Sequence, residues 1–187
     1  MRVDEEVAFG MSMLGFERQE MEQRIAQALK QVGLSGLEER SPFDLSGGQQ
    51  QRLAIATVLA VKPEVIVLDE PTAQLDPIGK REVFETLRAL NKEGYTIVVA
   101  EHEIEELASF ADRIAAIDKG QIVLWGNARE VLVQVDRLKN IGVDPPSVTE
   151  LTHILATDLD ANTSDYPISL PEAVKFYSEI LEGKRKR

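Results

Sequence analysis

Apolar side chains recur at helical spacing through the first 37 residues of the chain. The residues that share one face of this amphipathic pattern are Met21, Ile25, Ala28, Leu29 and Val32. Gly33 and Gly36 predict where the helical segment ends. A second helix is predicted over residues 49–61, ahead of Pro63, because nearly every residue there from position 53 onward is apolar. We expect this second helix to be buried on most of its sides.

The pattern changes from helical to strand-like after residue 63. Residues 65–68 and 96–100 are short, continuous apolar runs. Such runs are typical of strands that are buried on both faces of a parallel sheet. A helix is predicted between them over residues 78–91. The order strand, helix, strand predicts an α/β domain with parallel pairing.

The rest of the chain is predicted to be a hairpin among helices. A short acidic helix is expected over residues 104–110. Two apolar runs, 114–117 and 121–124, flank Lys119-Gly120 and predict a β-hairpin. Further helices are predicted over residues 128–135, 148–158 and 172–181. We expect the basic end of the chain, residues 184–187, to be a solvated terminus.

Composition and charge exclude several classes of function. Lys and Arg number 21 against 32 Asp and Glu, and the net charge of −11 argues against nucleic acid as a partner. The absence of cysteine excludes disulfides, zinc–thiolate sites and thiol nucleophiles. The longest stretch without a charged residue, 7–16, is much shorter than the roughly 20 residues of a transmembrane helix. No secretory signal is visible, so we expect a cytoplasmic location.

The first candidate site lies just before the second predicted helix. Ser46 is a good helix N-cap, and Gly47 and Gly48 let the backbone approach a ligand closely. The free N–H groups and the dipole of the following helix favour an anion such as phosphate. An ordinary capped helix start explains residues 45–49 equally well, so this motif by itself leaves both interpretations open.

Two further candidate sites follow the two predicted strands. Asp69 and Glu70 come at the carboxyl end of the first strand, the edge at which α/β sheets bind ligands. One carboxylate can hold Mg²⁺ and the next can polarise an attacking water, provided that the turn at Pro71 redirects Glu70. His102 follows the second strand and could hydrogen-bond a phosphate oxygen. Solvated strand ends and a structural histidine are the alternatives, and we expect His153 to be structural.

Taken together, these motifs closely resemble the nucleotide-binding domain of ABC ATPases. Residues 45–49 match the ABC signature, and residues 65–70 match Walker B with its following glutamate. Residues 73–76 match the D-loop, and His102 matches the switch histidine. The resemblance covers the chain from residue 3 to about residue 132. It implies the α/β fold of an ABC-type P-loop NTPase.

The resemblance also implies ATP and Mg²⁺ as cofactors, and a role for each candidate residue. Asp69 would bind Mg²⁺. Glu70 would be the general base or the group that orients water, and His102 would contact the γ-phosphate. Asp76 would line a dimer interface. The signature residues that would cap the ATP of a partner subunit are Ser46, Gly47, Gly48 and Gln49.

The flanking segments are similar to energy-coupling factor ATPases, which import cobalt or vitamins. Residues 5–10 resemble the segment after their Q-loop, and residues 138–151 resemble their C-terminal extension. The implied partners are a second ATPase subunit, paired head to tail, and a transmembrane coupling subunit at the cytoplasmic face of the membrane. Asp4, Glu5 and Glu6 would meet the coupling subunit, although a solvated acidic helix start explains them equally well. The sequence predicts three segments. Residues 1–62 form a helical subdomain with the signature helix, residues 63–128 form the rest of the α/β core, and residues 129–187 form a helical extension.

The sequence contains no P-loop of the form G-x-x-x-x-G-K-[ST]. Gly79-Lys80 is followed by Arg81, and the position of the required earlier glycine is Gln74. We therefore expect the chain to begin inside the family's domain, just past the Q-loop, and to be inactive by itself. We also expect it to fold poorly, because the strand at residues 65–69 would lose a neighbour. Two alternatives are a degenerate partner subunit that supplies only its signature and a non-transport ABC ATPase.

Overall fold

The computed structural model describes residues 1–156 and 161–182. The chain divides into two compact units, Met1–His102 and Glu103–Arg187. The basic tail and the last residues of the helix predicted at 148–158 lie outside the described residues. The segment boundaries near residues 62 and 128 stay a prediction.

The first unit opens with three helices that pack on one another. They are α1 (Val3–Met13), α2 (Arg18–Gln31) and α3 (Gly47–Leu59). Their interface is apolar, and the buried side chains on α1 and α2 include Val3, Val7, Met11, Ala28 and Leu29. Residues 3–37 therefore hold two helices rather than one continuous helix. The chain turns between them at Gly15, whose φ of 78° lies in the left-handed region that favours glycine.

Helix α3 is less completely buried than its sequence predicts. Leu53, Ile55 and Leu59 are buried, whereas Ala54 and Val58 are exposed. The helix contacts α1, α2 and the later helix α4 (Pro77–Lys92). Neighbours on these sides leave one stripe of the helix open to solvent. The prediction that α3 is covered on most of its sides is correct only for the sides that face these helices.

Two parallel strands form the sheet of the first unit. Strand β1 (Val65–Asp69) pairs with β2 (Thr96–Ala100), so that Val65 lies opposite Thr96 and Asp69 lies opposite Ala100. Helix α4 connects them and contacts β2. This arrangement confirms the parallel pairing predicted from the order of apolar runs. Both strands end at the same edge of the sheet, where the two chemical motifs that follow them begin.

The sheet is buried on one face rather than on two. Ile66 is 1% exposed, whereas Val67 is 72% exposed, and Val65 and Val98 are about half exposed. Burial on both faces, as predicted from the continuous apolar runs, is therefore wrong for the described residues. Continuous apolar runs are typical of strands covered on both sides, and here only one side is packed. The open side of the sheet carries an exposed apolar patch that is formed by Val65, Val67 and Val98.

The second unit contains a hairpin. Helix α5 (Ile104–Phe110) precedes strand β3 (Arg113–Asp118), which pairs antiparallel with β4 (Gln121–Asn127). The two residues of the turn, Lys119 and Gly120, have φ values of 48° and 76°. Positive φ at both positions is the geometry of a type I′ turn, which suits the twist of a two-residue hairpin. The hairpin predicted around Lys119-Gly120 is confirmed.

The hairpin is followed by short helices that complete a second core. These helices are α6 (Ala128–Leu132), α7 (Val135–Asn140), α8 (Ser147–Ile154) and α9 (Leu170–Leu181). The core includes Leu124, Val131, Leu132, Leu138, Tyr166 and Ile168. His153 meets the ring of Tyr166 edge-on, with 5.9 Å between ring centroids, which fits its predicted structural role.

Lys139 donates a hydrogen bond to Glu150, and this bond raises the pKa of Lys139. No helix in the described part of the chain is long and apolar enough to cross a bilayer.

Two neighbouring residues of β1 test the one-sided burial of the sheet. Ile66→Ala should lower the free energy of unfolding by about 2–5 kcal/mol, because it leaves a cavity under the sheet. Val67→Ala removes a side chain that faces solvent and should cost less than about 1 kcal/mol. Urea unfolding followed by circular dichroism measures both values. Equal losses for the two variants would mean that the sheet is buried on both faces.

Candidate functional site

The anion site predicted before α3 is a formed helix cap. The N–H of Gln49 donates to Oγ of Ser46 (3.3 Å), and the N–H of Ser46 donates to Oε1 of Gln49 (3.0 Å). This reciprocal pair is a capping box, so Ser46 and Gln49 hold each other in place. The hydroxyl hydrogen of Ser46 takes no part in the pair and can be donated to an anion. The N–H groups of Gly47 and Gly48, in the first turn, have no partner within the helix.

The two glycines of the signature lie against the segment that follows β1. A Cβ atom at Gly48 would lie 2.9 Å from Cα of Gly79, in the first turn of α4. A Cβ atom at Gly47 would lie 3.2 Å from Cδ2 of Leu75, within the D-loop segment 73–76. Glycine at position 48 is therefore required by the close approach of two backbones. The signature and the D-loop, which are separated in sequence, are in contact.

Asp76 is the N-cap of α4. Its Oδ1 accepts a hydrogen bond from the N–H of Gly79 (2.6 Å). An ion pair between Arg52 of α3 and Glu82 of α4 (3.3 Å) joins the same two helices one turn further on. Asp76 is exposed and therefore accessible at this end of α4. Its predicted place at a dimer interface stays a prediction, and the contact observed for it is the helix cap.

Glu70 leaves strand β1 with its backbone in the left-handed region. Its φ is 45°, and its N–H donates to the carbonyl of Ala100 (2.9 Å), directly beyond the last paired residues of the sheet. A left-handed conformation costs a non-glycine residue about 1–2 kcal/mol. The redirection of this side chain, which the sequence predicts at Pro71, therefore occurs at Glu70 itself. Asp69, one residue earlier, is exposed at the end of the strand.

The structure brings Glu70 and His102 together. Nε2 of His102 lies 3.1 Å from Oε1 of Glu70, a hydrogen bond between residues that follow different strands. The side chain of His102 is 87% exposed and that of Glu70 is 52% exposed. The parallel pairing of β1 and β2 accounts for this meeting, because both residues follow strands that end at one edge. Both groups remain open to a ligand or to water.

Sequence reasoning missed Glu101, which lies between β2 and His102. Its Oε1 accepts hydrogen bonds from the N–H of Thr72 (3.2 Å) and from the Thr72 hydroxyl. Its Oε2 accepts a hydrogen bond from the N–H of His102 (2.8 Å). The available signal was its position, since it is a third carboxylate directly after a strand, like Asp69 and Glu70. Its contact with the buried Thr72 could not be read from spacing.

Asp69 could supply one of the ligands of a magnesium site. Among residues 1–156 and 161–182, no group of three or more His, Asp or Glu side chains is arranged to hold a metal ion. Mg²⁺ is commonly bound by one or two carboxylates together with phosphate oxygens and water. One exposed carboxylate is therefore a suitable contribution from this chain to a Mg²⁺–nucleotide site.

Comparison with known proteins agrees with this arrangement. The family model described as ABC transporter matches residues 1–73. The structure of cbiO1 from Clostridium perfringens, part of the ABC transporter complex cbiONQ, matches with a TM-score of 0.67 and 34% identity. That match covers 81% of this chain and 61% of the cbiO1 chain. The chain belongs to the ABC transporter ATPase domains, and the α/β ABC fold implied by its motifs is confirmed.

Several sequence relatives are ATP-binding proteins of energy-coupling factor transporters. The ATP-binding protein EcfA1 of Caldanaerobacter subterraneus is 48% identical over 175 residues, which is 93% of this chain and 62% of EcfA1. EcfA2 of Streptococcus sanguinis is 41% identical over 179 residues, which is 95% of this chain and 62% of EcfA2. The chain is thus strongly homologous to these ATP-binding proteins, and it spans about three fifths of their length.

Two helical glycines should respond to alanine with opposite signs. Gly48→Ala forces a methyl group against the backbone of Gly79 and should lower the free energy of unfolding by about 1–3 kcal/mol. Gly10, inside α1, has nothing within 4 Å of an added Cβ, so Gly10→Ala should raise it by about 0.5–1 kcal/mol. Chemical denaturation of both variants measures the difference. A stabilised Gly48→Ala variant would contradict the close contact between the signature and α4.

Proposed function

We propose that this chain is part of the ATP-hydrolysing subunit of an energy-coupling factor importer for a metal ion or a vitamin. The observation that carries the proposal is the pairing of Glu70 with His102 at the carboxyl edge of a parallel sheet. A carboxylate and an imidazole at this edge are suited to orient water and to contact a phosphate oxygen. The homology to EcfA1 and EcfA2 supports the transporter class.

The proposed roles follow from the groups that each residue presents. Glu70 accepts a hydrogen bond from the attacking water and orients it as the general base. His102, with its hydrogen on Nε2, donates to Glu70 in the structure and could donate instead to a γ-phosphate oxygen. Asp69 would hold Mg²⁺, which when bound neutralises phosphate charge. These three residues lie at one sheet edge, so none needs a long movement to act with the others.

The signature would serve a second subunit. In the proposed head-to-tail pair, the Ser46 hydroxyl and the N–H groups at the start of α3 contact the phosphates of an ATP bound mainly by the partner ATPase subunit. Gln49 keeps Ser46 in place through the capping box. Asp76, which caps α4, would lie at the same subunit interface. The contact between Gly48 and Gly79 would make the signature and the D-loop move together.

One other function has a specific observation in its favour. The signature cap is complete, while the 187 residues contain no P-loop sequence. A chain with these features could act as a non-catalytic partner that completes the ATP site of an intact ABC ATPase. We propose in either case that the chain by itself hydrolyses no ATP, because phosphoryl transfer depends on groups that hold the β- and γ-phosphates.

A chimaera tests the role of Glu70. An ABC ATPase segment that carries a P-loop and a Q-loop is fused in front of Met1, and the purified chimaera should hydrolyse ATP. Glu70→Gln should lower kcat by about 100-fold or more and leave ATP binding intact, because an amide keeps the shape but is not a base. Steady-state ATPase assays and nucleotide binding measure the two effects. Glu64→Gln, an equal charge change at the exposed residue just before β1, is the control.

Unchanged turnover of the Glu70→Gln chimaera would refute the catalytic role. The same assay separates the two candidate functions. In a second arm, the 187-residue chain is mixed with an intact homologue. A rise in the homologue's ATPase rate, combined with an inactive chimaera, favours the non-catalytic partner. An active chimaera favours the enzyme.

The surface of α1 is the proposed contact for a transmembrane coupling subunit. Asp4 pairs with Arg2 (2.7 Å), and Glu5 accepts a hydrogen bond from the N–H of Arg2 (2.8 Å), so both carboxylates already act in the helix start. Apolar side chains further along α1 are better placed for a partner. Phe9 is 63% exposed, and Met13, one turn later, is also exposed. We propose that these two side chains carry the contact and that Asp4 and Glu5 contribute mainly to the helix start.

Polar substitution at Phe9 tests this contact. In the assembled transporter, Phe9→Ser should reduce co-purification of the transmembrane subunit by roughly tenfold, because a buried aromatic at an interface contributes more than about 1 kcal/mol. The thermal stability of the ATPase subunit should change little, since the side chain faces solvent in the free chain. Leu181→Ser, at an exposed leucine in the second unit, is the matched control. Normal co-purification of the Phe9→Ser variant, together with loss of co-purification when the charge of Glu6 is reversed, would indicate that the acidic residues make the contact.

A further inference from the structure

Glu101 joins the two segments that leave the sheet at its carboxyl edge. Its Oε1 accepts from the N–H and the hydroxyl of Thr72, in the segment after β1. Its Oε2 accepts from the N–H of His102, in the segment after β2. One carboxylate therefore receives three hydrogen bonds from two segments that are far apart in sequence. Hydrogen bonds to an ionised carboxylate are stronger than those between neutral groups.

These bonds continue the pairing of the strands beyond the sheet itself. The register ends with Asp69 opposite Ala100, and the N–H of Glu70 still donates to the carbonyl of Ala100. From there the two segments diverge. The side chain of Glu101 then spans the gap to Thr72, which is 1% exposed and therefore a fixed anchor. The carboxylate attaches the backbone of His102 to this buried residue.

The position of the His102 ring depends on few contacts. The ring is 87% exposed, so packing does little to fix it. It touches Glu70 (3.1 Å), whose own backbone lies in the strained left-handed region. An exposed ring of this kind stays near its partner only when its backbone is held. The His102 N–H donates to Glu101, and this bond restrains the backbone from which the ring extends.

We propose that Glu101 is a positioning residue for the proposed ATPase site. It acts through His102 rather than on a ligand. By tying the His102 backbone to Thr72, it keeps the imidazole within reach of Glu70, so that both groups are arranged before a nucleotide binds. The catalytic purpose of this arrangement rests on the proposed function. The positioning itself is a property of the chain without nucleotide and can be measured in it.

Glu101→Gln is the sharpest test, because the change keeps the size of the side chain and removes one acceptor. An amide has one oxygen, which cannot accept from both Thr72 and His102 as the carboxylate does. Amide hydrogen exchange and side-chain NMR of the 187-residue chain report the result. The chain has two histidines, so His153→Gln assigns the ring signals without ambiguity. Glu64→Gln is the matched control, with an equal loss of charge at the other end of β1.

In the Glu101→Gln variant, the His102 amide should exchange roughly tenfold faster, because it loses a bond to a charged acceptor. The ring signals of His102 should shift and their nuclear Overhauser contacts to Glu70 should weaken, while the His153 signals stay unchanged. Glu64→Gln should leave both rings as they are. Thr72→Val, which removes one donor and keeps the buried shape, should move the His102 ring signals in the same direction by a smaller amount.

Two results would overturn the proposal. The first is a His102 ring that keeps its signals and its contact to Glu70 in both Glu101→Gln and Thr72→Val. The second is an equal response of both histidine rings, which would indicate general loosening rather than positioning. Thr72→Val keeps the test decisive where Glu101→Gln fails to fold. Because no nucleotide is used, an inactive chimaera would refute the proposed ATPase function without altering this result.

Discussion

The parallel pairing of β1 with β2 is the constraint on which the candidate site depends. It brings the ends of two strands, separated by helix α4, to the same edge of a sheet, with Asp69 opposite Ala100. Glu70 and His102 follow those ends directly and meet at 3.1 Å. A shift of one residue in the register would send the two side chains to opposite faces. The hydrogen bonds of a short sheet thus determine which chemical groups lie together.

A second constraint connects this edge to the signature. The close approach of Gly48 to Gly79 joins the first turns of α3 and α4, and Asp76 fixes the start of α4 through its cap. Because α4 begins directly after the D-loop, the contact links the signature to the segment that follows β1. Packed backbones transmit displacement better than flexible side chains do. The close contact therefore gives Gly48 and Gly79 a structural reason to be glycine. For Gly48, this reason is separate from any role toward a phosphate.

The sequence predicted the elements well and their surroundings less well. Apolar runs and turn residues located both strand pairs, and the short motifs located Glu70, His102 and the cap at Ser46. Burial of β1 on both faces was wrong, because an apolar run reports what a strand can bury and not how many neighbours it has. The break at Gly15 was missed because the flanking apolar pattern is compatible with one helix or two. Glu101 was missed because its anchor, Thr72, lies 29 positions away and reveals itself only once the strands pair.

The candidate site combines firmly held backbones with exposed reactive groups. Ser46, Asp76 and Glu101 each use a side-chain oxygen to hold a backbone N–H. Glu70 and His102 remain largely open to solvent, and the backbone of Glu70 lies in the left-handed region. Rigid support beneath accessible groups is what a site needs if its geometry is to be set before a ligand arrives. The polar residues of the candidate site thus include some whose side chains fix the backbone and others, Glu70 and His102, whose side chains are open to solvent.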